Sequence, residues 1–167
     1  MTHQQVTTDE EALATVRKLI KGIDVAMLTT VSAQGLVSRP MQTQAVEFDG
    51  DLWFITMKDT DKYDELKQNP HVNVNYVGKS YVSIRGTAEI VNDRAKIAQF
   101  WNAAYEKMLQ TTNDDPNLIL IKVHAETAEY WEMGNIRKLV KQLFHTITGD
   151  KEDNAHLNEV VHLEKNN

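Results

Sequence analysis

Residues 71–91 read His71-Val72-Asn73-Val74-Asn75-Tyr76-Val77-Gly78-Lys79-Ser80-Tyr81-Val82-Ser83-Ile84-Arg85-Gly86-Thr87-Ala88-Glu89-Ile90-Val91. Val72, Val74 and Tyr76 alternate with Asn73 and Asn75, the period of two that a half-buried strand requires. Gly78-Lys79 supplies a turn, and alternation then resumes over Ser80–Val91. Val82, Ile84, Ala88 and Ile90 share one side, and Tyr81, Ser83, Arg85 and Thr87 the other. Two strands joined by so short a turn pair antiparallel. Their mixed polar face meets water or lines a cavity.

The same period recurs upstream. Val25–Val31 is rich in β-formers and stops at the turn signal Ser32-Ala33-Gln34-Gly35. Leu36–Phe48 reads as a long second strand interrupted by Pro40, which points to an edge, a bulge or a place where the backbone faces something else, because proline donates nothing to a ladder. Asp49-Gly50 before Asp51–Thr56 is a strong hairpin signal. Asp61–Gln68 reads as a short helix stopped by Asn69-Pro70. Downstream, Ile97, Trp101, Tyr105 and Met108 form one stripe and predict a helix over Asp93–Met108. Leu118–His124 and Thr127–Glu132 predict two further strands.

At the N-terminal end, Thr8-Asp9-Glu10-Glu11 has the form of a capping box, and Leu13, Val16, Leu19 and Ile20 follow on one helical face as far as Gly22. Ile136, Leu139, Val140, Leu143, Phe144 and Ile147 predict an amphipathic final helix. The chain after Gly149 is polar and is expected to be a mobile tail. Six or seven strands, mostly joined by hairpins and flanked by helices, define an α+β antiparallel barrel. The expected organisation is one domain over residues 1–149 and a tail over 150–167.

Composition narrows the function. The 167 residues carry a formal charge of −6, with 41% hydrophobic and 25% charged residues. An acidic chain without clustered Lys and Arg is a poor partner for nucleic acid. There is no cysteine, which removes disulfides and thiolate chemistry and accords with a cytoplasmic setting. The polar start lacks signal-peptide character, and no apolar run approaches the roughly 20 residues that span a bilayer, so no membrane partner is expected. The seven glycines stand singly, without a G-x-G-x-x-G or P-loop arrangement. The six histidines never occur as H-x-H or H-x-x-x-H, so no metal site is expected.

Chemistry concentrates in Ser38-Arg39-Pro40-Met41 and in Phe54-Ile55-Thr56-Met57-Lys58-Asp59-Thr60-Asp61-Lys62-Tyr63. The second piece is a strand, a polar loop and the first turn of a helix. A helix N-terminus offers free backbone N–H groups and a positive dipole end, the setting for a phosphate. Thr60 adds a hydroxyl, Lys62 a cation, and Arg39 a planar fork of donors from the neighbouring strand. A purely structural reading of the same residues stays open, with Asp61 as an N-cap, Lys62 as a surface charge and Arg39 paired to Glu47 or Asp61.

The ordered set Met27-Leu28-Thr29-Thr30, Gly35, Ser38-Arg39-Pro40-Met41, Leu52-Trp53-Phe54-Ile55-Thr56, Asp61-Lys62, Asn69-Pro70-His71-Val72, Tyr81–Ala88 and Glu129-Tyr130-Trp131 covers about two-thirds of the chain. In order and spacing it resembles the FMN-binding split-barrel superfamily of pyridoxamine 5′-phosphate oxidases, and within it the general stress protein branch. The resemblance implies an antiparallel split β-barrel with flanking helices, FMN as cofactor and a cytoplasmic homodimer with FMN at the subunit interface. Carried over by position, Arg39 and Lys62 would hold the phosphate, with Thr60 beside them. Met41, Ile55 and Thr56 would run along the isoalloxazine and ribityl, and Tyr81 or Ser83 would sit near the ring. Trp131 would be an aromatic near the flavin, contributed by either subunit, or else a core or interface tryptophan.

One part of the pattern is missing. The oxidases proper carry a C-terminal Arg-x-His that binds the substrate phosphate, whereas this chain has Ala128-Glu129-Tyr130-Trp131-Glu132-Met133 and then Asn135-Ile136-Arg137. The implied function is therefore an FMN-dependent oxidoreductase with an unknown small-molecule redox partner, and not pyridoxal phosphate synthesis. Two alternatives stand beside it: a non-catalytic flavin-binding or flavin-buffering stress protein, and a split barrel holding another redox cofactor.

Overall fold

The computed structural model describes residues 9–44, 48–132 and 159–163. Helix α1 (Asp9–Ile20) ends where Gly22 takes a φ of +79°, a left-handed stop that glycine adopts without penalty. It leads into β1 (Val25–Ser32), β2 (Gly35–Gln42), β3 (Asp51–Met57), α2 (Asp61–Gln68), β4 (His71–Val77) and β5 (Ser80–Val91). Two short helices follow, α3 (Arg94–Phe100) and α4 (Ala103–Leu109), then β6 (Leu118–Glu132) and β7 (Glu159–His162). Among the described residues no helix is long and apolar enough to cross a membrane. The Thr8 cap and the final helix expected over 136–147 lie outside the described residues.

All seven strands form one antiparallel sheet in the order β2-β1-β4-β5-β6-β3, with β7 also on β6. The sheet curls until its terminal strands β2 and β3 approach each other. This is the split-barrel architecture that the sequence predicted. Cross-strand partners share a face, so the register sorts every strand residue. Arg39, Leu28, Val74, Ile84 and Ala128 follow one another across the concave face. There Val16 of α1 joins Leu28, Phe54, Val74, Ile84, Ile121 and Val123 in the main core. Ser38, Thr29, Asn73, Arg85 and Thr127 follow one another across the convex face. A smaller core under α3 and α4 gathers Ile55, Ile97, Phe100, Tyr105, Leu118 and Leu120.

Several expectations need correction. Asp49-Gly50 does bend the chain, with Gly50 at φ +113°, but β3 does not form a hairpin with β2. It pairs with β6 from Asp51↔His124 to Met57↔Leu118. A turn signal specifies a change of direction and not a partner. The second strand ends at Gln42, well short of Phe48; Pro40 lies inside it, tolerated because β2 is an edge.

The single helix expected over Asp93–Met108 is broken at Trp101-Asn102. Asn102 takes extended backbone, and its side chain accepts hydrogen bonds from the N–H groups of Ala104 and Tyr105. That cap starts a new helix and overrides the apolar stripe. Tyr105 still reaches the core, where its hydroxyl donates to the Gln42 carbonyl at 3.0 Å, whereas Met108 is exposed. The two strands expected over 118–132 are one. Between the pairs Gly86↔Ala125 and Arg85↔Thr127 an extra residue, Glu126, is absorbed as a bulge instead of a turn. The tail expectation also changes, because Glu159–His162 pair with β6 and Leu163 is buried in the main core.

Gly86 is required at the bulge. A Cβ there would lie 2.0 Å from the His124 carbonyl oxygen and 2.9 Å from its carbon, atoms fixed in the neighbouring backbone. Overpacking of this kind costs roughly 1–3 kcal/mol even where side chains can yield. Gly86→Ala should lower unfolding free energy in urea by at least about 2 kcal/mol, since here backbone must move.

Candidate functional site

The concave face of β2 points Arg39 toward α2, which lies against β1 and β5. Its partner is Glu65 and not the Asp61 of the structural reading, while Glu47 lies outside the described residues. Arg39 Nη1 donates to Glu65 Oε2 at 2.8 Å and Nη2 to Glu65 Oε1 at 2.9 Å, an end-on bidentate pair. Nη1 also donates to Thr30 Oγ1 at 2.9 Å, and the Thr30 hydroxyl donates in turn to Glu65 Oε2 at 2.6 Å. Thr30 is fully buried, and the Arg39 and Glu65 side chains are 24% and 13% exposed. At that depth a charge-assisted pair is screened far less than a surface one.

Lys62 belongs to the same cluster. Desolvation is the main cause that lowers its pKa, and repulsion by Arg39 is the second; Glu65, Asp61 and Asp59 oppose the shift. Arg39 is raised, chiefly by its hydrogen bond to Glu65. Two cations therefore share the start of α2 with one directly bonded carboxylate. Thr60 is the helix N-cap, but its side chain caps nothing: the hydroxyl donates to the Met57 carbonyl at 2.7 Å. The start of α2 thus has no side-chain cap from Thr60, which leaves first-turn N–H groups without that partner.

The other expected residues divide between faces. Met41 lies two residues beyond Arg39 on the same face of β2 and is buried in the main core. Thr56 is 3% exposed, and no described residue accepts or donates a hydrogen bond at its hydroxyl. Leaving such a group unsatisfied costs roughly 1–3 kcal/mol. Ile55, one residue away, turns to the opposite side and packs in the smaller core. Ser83 and Trp131 lie on the convex face. Asn73 Nδ2 donates to Ser83 Oγ at 2.9 Å, and Trp131 stands opposite Tyr81. One chain thus joins Arg39, Thr60 and Lys62 but keeps Ser83 and Trp131 on the other side of the sheet.

Burial raises the Tyr76 phenol and pushes Tyr105 up to about 12, so both stay protonated at neutral pH. A cavity of about 590 Å³ lined by Arg17, Gln42, Gln44, Trp53 and Tyr76 contains none of these candidate residues. Among the described residues no group of His, Asp and Glu is arranged to hold a metal ion.

Glu65 and Thr30 are the residues that sequence reasoning missed. Glu65 follows Lys62 by three residues, a spacing that puts both on one helical face. That signal was available; the strand facing it was not.

Comparison with known proteins places the chain in a family. A family model described as "Pyridoxamine 5'-phosphate oxidase like" matches residues 11–153. The chain belongs to the pyridoxamine 5′-phosphate oxidase-like family. It is 31% identical over 119 residues to Protein bli-3 of Neurospora crassa, a match covering 63% of this chain and 57% of that protein. Among solved structures it is similar to General Stress Protein 26 from Bacillus anthracis, with a TM-score of 0.62 and 27% identity over 72% of this chain and 92% of that one. It is also similar to the general stress FMN/FAD binding protein of Xanthomonas citri, with a TM-score of 0.64 and 25% identity over 74% and 89%. This chain spans little more than half the length of the Neurospora relative.

In this member of the oxidase-like family the Glu65 carboxyl is held below its ordinary value of 4.5. The Arg39 hydrogen bond is the main cause, aided by Thr30 and opposed by burial. A carboxyl depressed on folding contributes stability above its unfolded pKa and loses it as pH falls through the folded value. Wild type should therefore exceed Glu65→Gln by about 1–2 kcal/mol at pH 7, between the worth of an exposed and a buried pair. That gap should close progressively below about pH 4.5, as followed by urea midpoints across the acid range.

Proposed function

We propose that this protein is an FMN-binding flavoprotein oxidoreductase that acts as a cytoplasmic homodimer. Arg39, Lys62 and the first turn of α2 would hold the flavin phosphate. The observation that carries this reading is the convergence of two cations on an uncapped helix start, one of them, Lys62, disfavoured in its charged form. A phosphate dianion is the ligand that relieves both the repulsion and the desolvation. The donor set fits the group, and the buried hydroxyl of Thr56, which has no partner among the described residues, offers a further polar contact beyond it.

The side chains of Met41 and Ile55 are committed to the two cores, so backbone is what they would present to the isoalloxazine. Both strands are terminal in the sheet, and the backbone groups along their free edges are not used by a neighbouring strand. The likeness to a Xanthomonas citri protein named for FMN/FAD binding supports the same reading. When bound, FMN supplies hydride or single-electron transfer, and the protein supplies orientation and electrostatics.

A second copy completes the site. Ser83 and Trp131 lie on the face opposite Arg39, and a partner's convex face would bring them to the ring. That face exposes Val25, Met27, Leu36 and Val77 between 38% and 76%, an apolar surface suited to an isologous interface. Its half-buried aromatics Tyr81 and Trp131 are of the kind enriched at such interfaces.

Charge-assisted hydrogen bonds are worth roughly 1.5–3 kcal/mol each, so Arg39→Ala or Lys62→Ala should weaken FMN about tenfold or more. Quenching of flavin fluorescence by apoprotein measures this, and riboflavin should bind far more weakly than FMN in wild type. Wild-type affinity in both variants would overturn the phosphate assignment. Oxidation of NADH or NADPH with an added acceptor then separates a reductase from a flavin buffer.

Light scattering during size-exclusion chromatography should give about twice the 19.1 kDa chain mass, with one FMN per chain. A flavin-loaded species at the chain mass itself would rule out a site shared between subunits.

A further inference from the structure

A guanidinium carries five N–H donors in a rigid plane. In Arg39 three are engaged: two on Nη1, to Thr30 Oγ1 and Glu65 Oε2, and one on Nη2, to Glu65 Oε1. The Nε–H and the second Nη2–H have no partner among the described residues. They form the side edge of the plane, itself a two-donor fork that matches a phosphate as well as the end-on edge matches a carboxylate. The Thr30 hydroxyl has one proton, which goes to Glu65 at 2.6 Å in preference to the Val37 carbonyl at 3.5 Å. Its lone pair is thereby left to accept from Arg39, and the three side chains close a ring.

We propose, building on the phosphate reading of the site, that Glu65 and Thr30 are positioning residues that lock Arg39 with its Nε/Nη2 edge turned to the flavin phosphate. Two physical effects of Glu65 oppose each other. Its charge repels an incoming phosphate, but its two oxygens fix a long side chain that would otherwise be ordered only on binding. Glu65 also lets Arg39 and Lys62 share one site, because it offsets their mutual repulsion. Fixation wins because the carboxylate already spends both oxygens on Arg39, in end-on geometry, and leaves the other edge of the fork free.

The test measures FMN and riboflavin affinity by fluorescence titration in variants whose melting curves report folding. Glu65→Gln breaks the fork and should weaken FMN about five- to tenfold, the loss of one charge-assisted contact, with riboflavin unchanged. Thr30→Val should weaken FMN about threefold and Thr30→Ser, which keeps the hydroxyl, should restore it; this pair decides the matter if Glu65→Gln fails to fold. Because Glu65 acts through Arg39, the double variant Glu65→Gln/Arg39→Lys should bind FMN no worse than Arg39→Lys alone. Unchanged or tighter FMN binding in Glu65→Gln, with weaker binding in Arg39→Lys, would make Glu65 a mere competing anion. The positioning role would then fall and the phosphate site would stand. Wild-type affinity in both Arg39→Ala and Lys62→Ala would remove the phosphate site itself.

Discussion

A strand of fifteen residues must find hydrogen-bond partners along both of its edges, and the fold follows from how β6 does so. One edge is paired with β5 from Leu120 to Glu132; the other takes β3 along its first half and β7 along part of its second. Because an antiparallel sheet twists steadily, a spine of this length carries its two flanks out of plane, and the sheet curls upon itself. The bulge at Glu126 adds curvature where β3 gives way to β7. Gly86 opposite leaves the room that a side chain would deny.

That curl sets the conditions of the candidate site. It brings the terminal strands β2 and β3 near each other and seats α2 against β1 and β5, so Arg39 meets a helix instead of solvent. Two cations at a partly desolvated helix start would repel each other, and Glu65 makes the arrangement tolerable. The carboxylate takes one edge of the guanidinium, and Lys62 has no direct ion-pair partner among the described residues, although the charges of Glu65, Asp61 and Asp59 act on it. The register does the rest by assigning Ser83 and Trp131 to the convex face, beyond reach of Arg39 within one chain.

Much was readable from residue order. Asp61–Gln68, His71–Val77 and Ser80–Val91 occur with the bounds that periodicity and turn chemistry imply, since each signal is local and its neighbours agree with it. The family resemblance also stood on ordered motifs before any coordinate. The misreadings share a cause: local signals are silent about partners. Asp49-Gly50 turns the chain, yet the strand it releases pairs some seventy residues away. The stripe from Ile97 to Met108 continues through Trp101, yet the cap at Asn102 breaks it. The extra residue at Glu126 resembles a turn in one dimension and is a bulge in the sheet.

The sequence by itself determined the class of fold, the family and the residue types that could meet a phosphate. Alternation, turn residues and a basic residue in the first turn of a helix act over a few positions and need no distant contact. Only the tertiary structure decided that Arg39 answers to Glu65 and Thr30, which approach it from a different helix and a neighbouring strand. It also decided that Thr56 buries a hydroxyl without a partner among the described residues, and that the expected site residues stand on opposite faces of one sheet. Those facts depend on sheet curvature and strand register, which long-range packing sets and no short stretch of sequence encodes.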